Sequence, residues 1–117
     1  MLQFPNAAFD GVFSNTILHH IPEPRSLLTE VRRVLHPGGA LLIRDLYRPS
    51  DPEAVEALVT LHAADADAGQ RALFRASLHA ALTPDELRRA ADDAGLGDAE
   101  LVVDSDRHMS LQCAAKR

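Results

Sequence analysis

Three features predict an α/β fold for this chain of 117 residues. Apolar runs of strand length alternate with segments whose apolar residues recur at helical spacing, in the order strand, helix, strand, helices, strand, strand. The run Ala40-Leu41-Leu42-Ile43 is apolar without alternation, as in a strand covered on both faces within a parallel sheet. The last two strand candidates lie close enough in sequence to close as a hairpin, which gives the sheet an antiparallel finish.

Each element has its own justification. Residues 9–15 contain Val12 and Phe13 and end in the polar pair Ser14-Asn15, a short buried-strand pattern. Residues 16–22 connect. Over residues 23–36, Leu27, Leu28, Val31, Val34 and Leu35 share one helical face, while Arg25, Glu30, Arg32 and Arg33 point elsewhere. Pro37-Gly38-Gly39 stops that helix, since proline breaks the hydrogen-bond ladder and glycine accepts positive φ. After the strand at 40–43, Ser50 or Asp51 can cap a helix that carries Val55, Leu58, Val59 and His62 to about Ala66. Gly69 interrupts, and residues 71–82 form another helix presenting Leu73, Phe74 and Leu78. Thr83-Pro84-Asp85-Glu86 is a capping box with proline in the first turn. Leu87, Ala90, Ala91 and Ala94 line that helix and Gly95 ends it. Residues 100–104 form a strand around Leu101-Val102-Val103. Met109, Leu111 and Cys113 alternate with Ser110 and Gln112 as a half-buried strand.

Bulk properties narrow the function. The net charge of −5 is spread without a basic stripe, so no nucleic-acid footprint is present. Cys113 is the only cysteine, which excludes an intrachain disulfide and a two-cysteine metal site. No apolar run approaches the roughly 20 residues of a membrane span. The start lacks the pattern of a secretory leader, so the cytoplasm is the default location. The adjacent His19-His20 pair points apart on any regular element and has no neighbouring cysteine, so it reads as a local contact rather than a metal site.

The stretch FPNAAFDGVFSNTILHHIPEPRSLLTEVRRVLHPGGALLIRDLYRP resembles the second half of a class I S-adenosylmethionine-dependent methyltransferase of the small-molecule type known as methyltransferase type 11. ALTPDELRRAADDAGL is similar to the helix that precedes that family's last two strands. The resemblance spans nearly the whole chain, read as one partial domain over residues 1–117. It implies the C-terminal half of a Rossmann-like seven-stranded sheet, parallel with an antiparallel hairpin at its end. It also implies S-adenosylmethionine as methyl donor and a small molecule as acceptor.

Ligands of open α/β sheets lie beyond the carboxyl ends of the strands. The resemblance puts Ser14, Asn15 and His19 beside the methionine part of the donor; strand-end turn chemistry accounts for Ser14 and Asn15 equally well. Arg44, Asp45 and Tyr47 follow the second strand, where acceptor contacts and general bases sit. An internal Arg–Asp pair in a solvated loop is the plainer reading of the same residues. The family's glycine-rich turn after its first strand has no counterpart here. Gly95-Leu96-Gly97 follows a helix and terminates it. The donor cradle is therefore expected to be incomplete, with the chain alone inactive. Residues 9–15 become an open sheet edge that invites self-association. A non-catalytic interaction module derived from the same fold is the alternative.

Overall fold

The computed structural model describes residues 4–15 and 21–114. In chain order the elements are β1 (Phe9–Asn15), α1 (Pro24–Val34), β2 (Leu35–Leu46), α2 (Pro52–His62), α3 (Ala68–Ala80), α4 (Pro84–Asp93), β3 (Glu100–Val103) and β4 (His108–Cys113). The strands form one four-stranded sheet in the order β1-β2-β4-β3. β1 runs parallel to β2, with Val12 opposite Leu41 and Asn15 opposite Arg44. β4 is antiparallel to both β2 and β3. The crossover from β1 to β2 is α1, as a parallel pair requires.

Strand registers sort the side chains onto two faces. One face carries Val12, Leu41, Ile43, Met109 and Leu111, and it buries them against Leu28 and Val31 of α1 and Leu87, Ala90 and Ala91 of α4. This is the main core. Each fully buried leucine or methionine there contributes about 2 kcal/mol of apolar transfer. The other face is covered at its far end, where Leu46 meets Val55, Leu58 and Val59 of α2 and Leu78 of α3. Further back it is bare: Phe13, opposite Leu42, is 70% exposed.

Several boundaries differ from the sequence reading, each for a physical reason. α1 stops at Val34, before Pro37, because Leu35 turns extended (φ −79°, ψ 128°) and is buried in the main core. Residues Pro37-Gly38-Gly39 then sit inside β2 as an irregularity: two residue steps of β1 (Phe9 to Gly11) match five of β2 (Leu35 to Ala40). Gly38 supplies the positive φ of 80° that this excursion needs. α3 begins at Ala68, so Gly69 lies in its first turn instead of breaking it. Asp67 accepts from Gln70 N at 2.7 Å and the Gln70 side chain returns a contact to Asp67 N at 3.2 Å, which fixes the start.

β4 is not half-buried. It lies between β2 and β3, and Met109, Ser110 and Leu111 are all inaccessible. The buried Ser110 hydroxyl accepts from Gln112 Nε2 at 2.7 Å, which removes the cost of its burial. The expected box at α4 is present, with Glu86 N donating to Thr83 Oγ1 at 3.1 Å and Thr83 N donating to Glu86 Oε1 at 2.9 Å. Among the described residues, no helix is long and apolar enough to cross a membrane.

Candidate active site at the strand carboxyl ends

β1 and β2 end side by side, which brings the two predicted groups of residues together. Asn15 is the register partner of Arg44, so these side chains share the less covered face. Ser14 and Asp45 fall on the opposite face, the one packed by α1 and α4. The pleat therefore divides the set. His19 lies outside the described residues.

Asp45 is 2% exposed, and its Oδ1 accepts from Leu46 N at 2.7 Å. Tyr47 packs against the main core, and its backbone N donates to Arg107 O at 2.9 Å, which ties the β3–β4 turn to the end of β2. Tyr47 also lines an open hollow of ≈400 Å³ with Pro49, Ala54, Leu58, Leu61 and Asp106. Arg44 Nε approaches Asp104 Oδ2 at 3.7 Å, and Arg48 Nη2 binds Glu86 Oε1 at 2.7 Å. Both pairs are partly solvated and hold geometry more than they stabilise.

A second cluster was not legible in the sequence. His62, the last residue of α2, places Nε2 2.8 Å from Asp106 Oδ2. Arg107 Nη1 donates to Asp106 Oδ1 at 3.0 Å. These residues are 44 and 45 positions apart, and only the closure of the β3–β4 turn over α2 joins them. Next to them, Ser105 Oγ accepts from Arg107 N at 3.2 Å and His108 N at 3.0 Å. Its own proton is then free for His108 Nδ1, 3.1 Å away.

Burial pushes the His108 pKa below 6.5, and the nearby Arg44 and Arg107 charges push in the same direction, against Asp104 and Asp45. A histidine pKa depressed by folding adds stability above the unfolded-state value, and that stability is lost as pH falls through the folded value. The thermal midpoint should therefore drop as pH falls from neutral to below 6.5. His108→Gln should flatten this part of the profile; an unchanged slope in differential scanning calorimetry would contradict the assignment. Among the described residues, no group of three or more His, Cys, Asp or Glu is placed to hold a metal ion.

Comparison with known proteins adds to the geometry. Residues 1–43 match the family model of the methyltransferase domain. An uncharacterised methyltransferase of Mycobacterium tuberculosis is 42% identical over 48 residues, 41% of this chain and 24% of that protein. An O-methyltransferase of Aspergillus nomiae is 38% identical over 61 residues, 52% of this chain and 27% of that protein. The crystal structure of an arsenic(III) S-adenosylmethionine methyltransferase from Chlamydomonas reinhardtii superposes with a TM-score of 0.61 at 23% identity, over 94% of this chain and 38% of that one. The chain has the fold and, over residues 1–43, the family sequence of a class I methyltransferase. The curated relatives match it over about a quarter of their own length. Within the methyltransferase fold, Asn15 and Arg44 stand at the carboxyl ends of adjacent parallel strands. Ligands of doubly wound sheets bind at such ends.

Proposed function

We propose that the chain forms the acceptor side of an S-adenosylmethionine-dependent methyltransferase site that acts on a small molecule. The observation that carries this reading is the parallel β1–β2 pair ending at Asn15 and Arg44 within a sequence that matches the family. The residues present fit one side of the donor. The Asn15 amide stands at the end of β1, where it can bind the polar amino-acid portion, while Ser14 faces the α1 and α4 side of the sheet. Among the described residues, no glycine-rich turn follows a strand; Gly95, at φ 84°, closes α4.

The bound donor supplies an activated methyl group, so the protein's task is mainly alignment and exclusion of water. Asn15 orients the donor from the end of β1. Arg44, held near Asp104, and Tyr47, held through its backbone to Arg107, frame the acceptor. Asp45 stiffens the end of β2. Its Oδ1 accepts from the Leu46 amide and the side chain is buried, so its contribution to the acceptor is through backbone position. In the longest polypeptide that carries this chain, Asn15→Ala should weaken S-adenosylmethionine about tenfold, one lost hydrogen bond's worth. Calorimetric titration reads this, and unchanged affinity would remove Asn15 from the site.

One observation favours a second reading, a non-catalytic module that pairs with its own copy. β1 is an edge strand, and Phe9, Phe13 and Leu42 are exposed around it. Open edges with apolar flanks recruit other strands. The isolated chain is expected to form dimers or larger species in light scattering at micromolar concentration, and Phe13→Lys should shift it toward monomer. A stable, monodisperse wild-type monomer would exclude this reading.

A further inference from the structure

A separate hollow lies at the opposite end of the sheet from Asn15 and Arg44, on the face packed by α1 and α4. It measures ≈220 Å³ and sits between the end of α1, the start of β2 and the turn that follows α4. Its inner wall is apolar. Leu35, Leu41, Leu96 and Ala99 are all buried there, and half-buried Cys113 stands beside its register partner Leu41. Its rim carries Arg32, His36 and Asp98, all exposed.

Glycine sets the path of Arg32. A Cβ on Gly95 would lie 3.6 Å from Arg32 Cγ and 3.8 Å from Nε, so the arginine runs across the end of α4, where Gly95 (φ 84°) leaves room. Asp98 follows in the same turn. The two opposite charges share one hollow, yet neither side chain forms a hydrogen bond or ion pair with another described residue. His36 adds direction to the rim. Its Nδ1 stands 2.8 Å from Pro37 O, and a carbonyl only accepts. The proton is therefore on Nδ1, and the neutral ring keeps a lone pair on Nε2. Arg32 supplies donors, whereas Asp98 and His36 supply acceptors.

These groups select a ligand by elimination. A fatty acid would satisfy Arg32 and set its carboxylate against Asp98. An alkylamine would satisfy Asp98 and leave Arg32 without a partner. A molecule that carries both charges bridges the rim, and an apolar body lets it cover Leu41, Leu96 and Cys113. The hollow is smaller than the roughly 300–1,000 Å³ of a drug-sized pocket, so it suits one small molecule. We propose that it binds a free apolar α-amino acid, with leucine as the type. The carboxylate meets Arg32, the ammonium meets Asp98 and His36, and the side chain lies on the apolar wall. Nothing in this proposal rests on the methyl-transfer reading, which concerns the other end of the sheet.

Cys113, the only cysteine of the chain, is the reporter. The full chain is treated with iodoacetamide and alkylation is followed by mass spectrometry. With a dissociation constant of about 1 mM, roughly 10 mM L-leucine should slow the reaction about tenfold. Glycine, isocaproate and isoamylamine lack the apolar body, the ammonium and the carboxylate respectively. Each should protect at least about threefold less than leucine. Arg32→Gln should lower the protection by leucine to that by isoamylamine and leave the effect of the amine unchanged. Asp98→Asn should lower it to that by isocaproate. Amide shifts of Gly38 and Gly39 in proton–nitrogen NMR give a second readout for a thiol that stays reactive with ligand bound. Equal protection by leucine and any of the three partial analogues, unchanged protection in Arg32→Gln, or no response to leucine in either measurement would overturn the proposal.

Discussion

Leu111→Ala should cost about 3–5 kcal/mol and leave the chain largely unfolded at 37 °C. Leu111 is fully inaccessible on the central strand β4, level with Ile43 on one side and Leu101 on the other, beneath the helices of the main core. Truncation removes its apolar transfer energy and opens a cavity that the two neighbouring strands, β2 and β3, are too well tied to close. A domain of this size has only about 5–15 kcal/mol in total, and an open four-stranded sheet with β1 and β3 at its edges belongs near the bottom of that range. Leu73→Ala is the control, because Leu73 is 71% exposed and its loss should change stability by less than about 0.5 kcal/mol. Urea unfolding followed by circular dichroism compares the two. Similar midpoints for both variants would mean that the core has been placed wrongly.

Gly39→Ala should have an effect of similar size, about 3 kcal/mol, by the opposite mechanism of overpacking. A Cβ at this position would lie 2.7 Å from Leu35 Cδ1, 2.8 Å from Asp10 O and 2.9 Å from His36 O. Two of these neighbours are backbone, so β1 would have to move away from β2 at the irregular start of their pairing. The variant should lose hydrogen-exchange protection along residues 9–15 before it loses protection in β4. Gly97→Ala is the contrasting case, since its new Cβ would meet only the Asp92 side chain at 3.4 Å. Equal melting temperatures for Gly39→Ala and wild type would show that the close approach of the two strands is not real.

How much the sequence disclosed depended on how local each signal was. The α4 cap is a four-residue pattern, and it formed as read. The Asp67–Gln70 box is just as local, but Gly69 inside it looked like a break; a glycine in a first turn costs little once the caps on either side are satisfied. The length of β2 was hidden because Pro37-Gly38-Gly39 is turn chemistry, and only pairing with β1 absorbs it into a strand. Ser110 looked solvent-facing by alternation, and only its place between two strands, with Gln112 as partner, buries it. The site followed the same rule. Asn15 and Arg44 could be placed at neighbouring strand ends because strand ends are visible in sequence. The pairing of His62 with Asp106 was not, because it depends on where a hairpin lands relative to a helix 44 residues earlier.

Hydrogen exchange on the longest polypeptide that carries this chain, with and without S-adenosylmethionine, is the most direct measurement. The donor should slow exchange at the carboxyl ends of β1 and β2, around residues 13–15 and 44–47, and leave α3 unaffected. Saturating donor that changes nothing in those two segments, or that protects only residues remote from them, would contradict the placement of a methyl-transfer site at this end of the sheet.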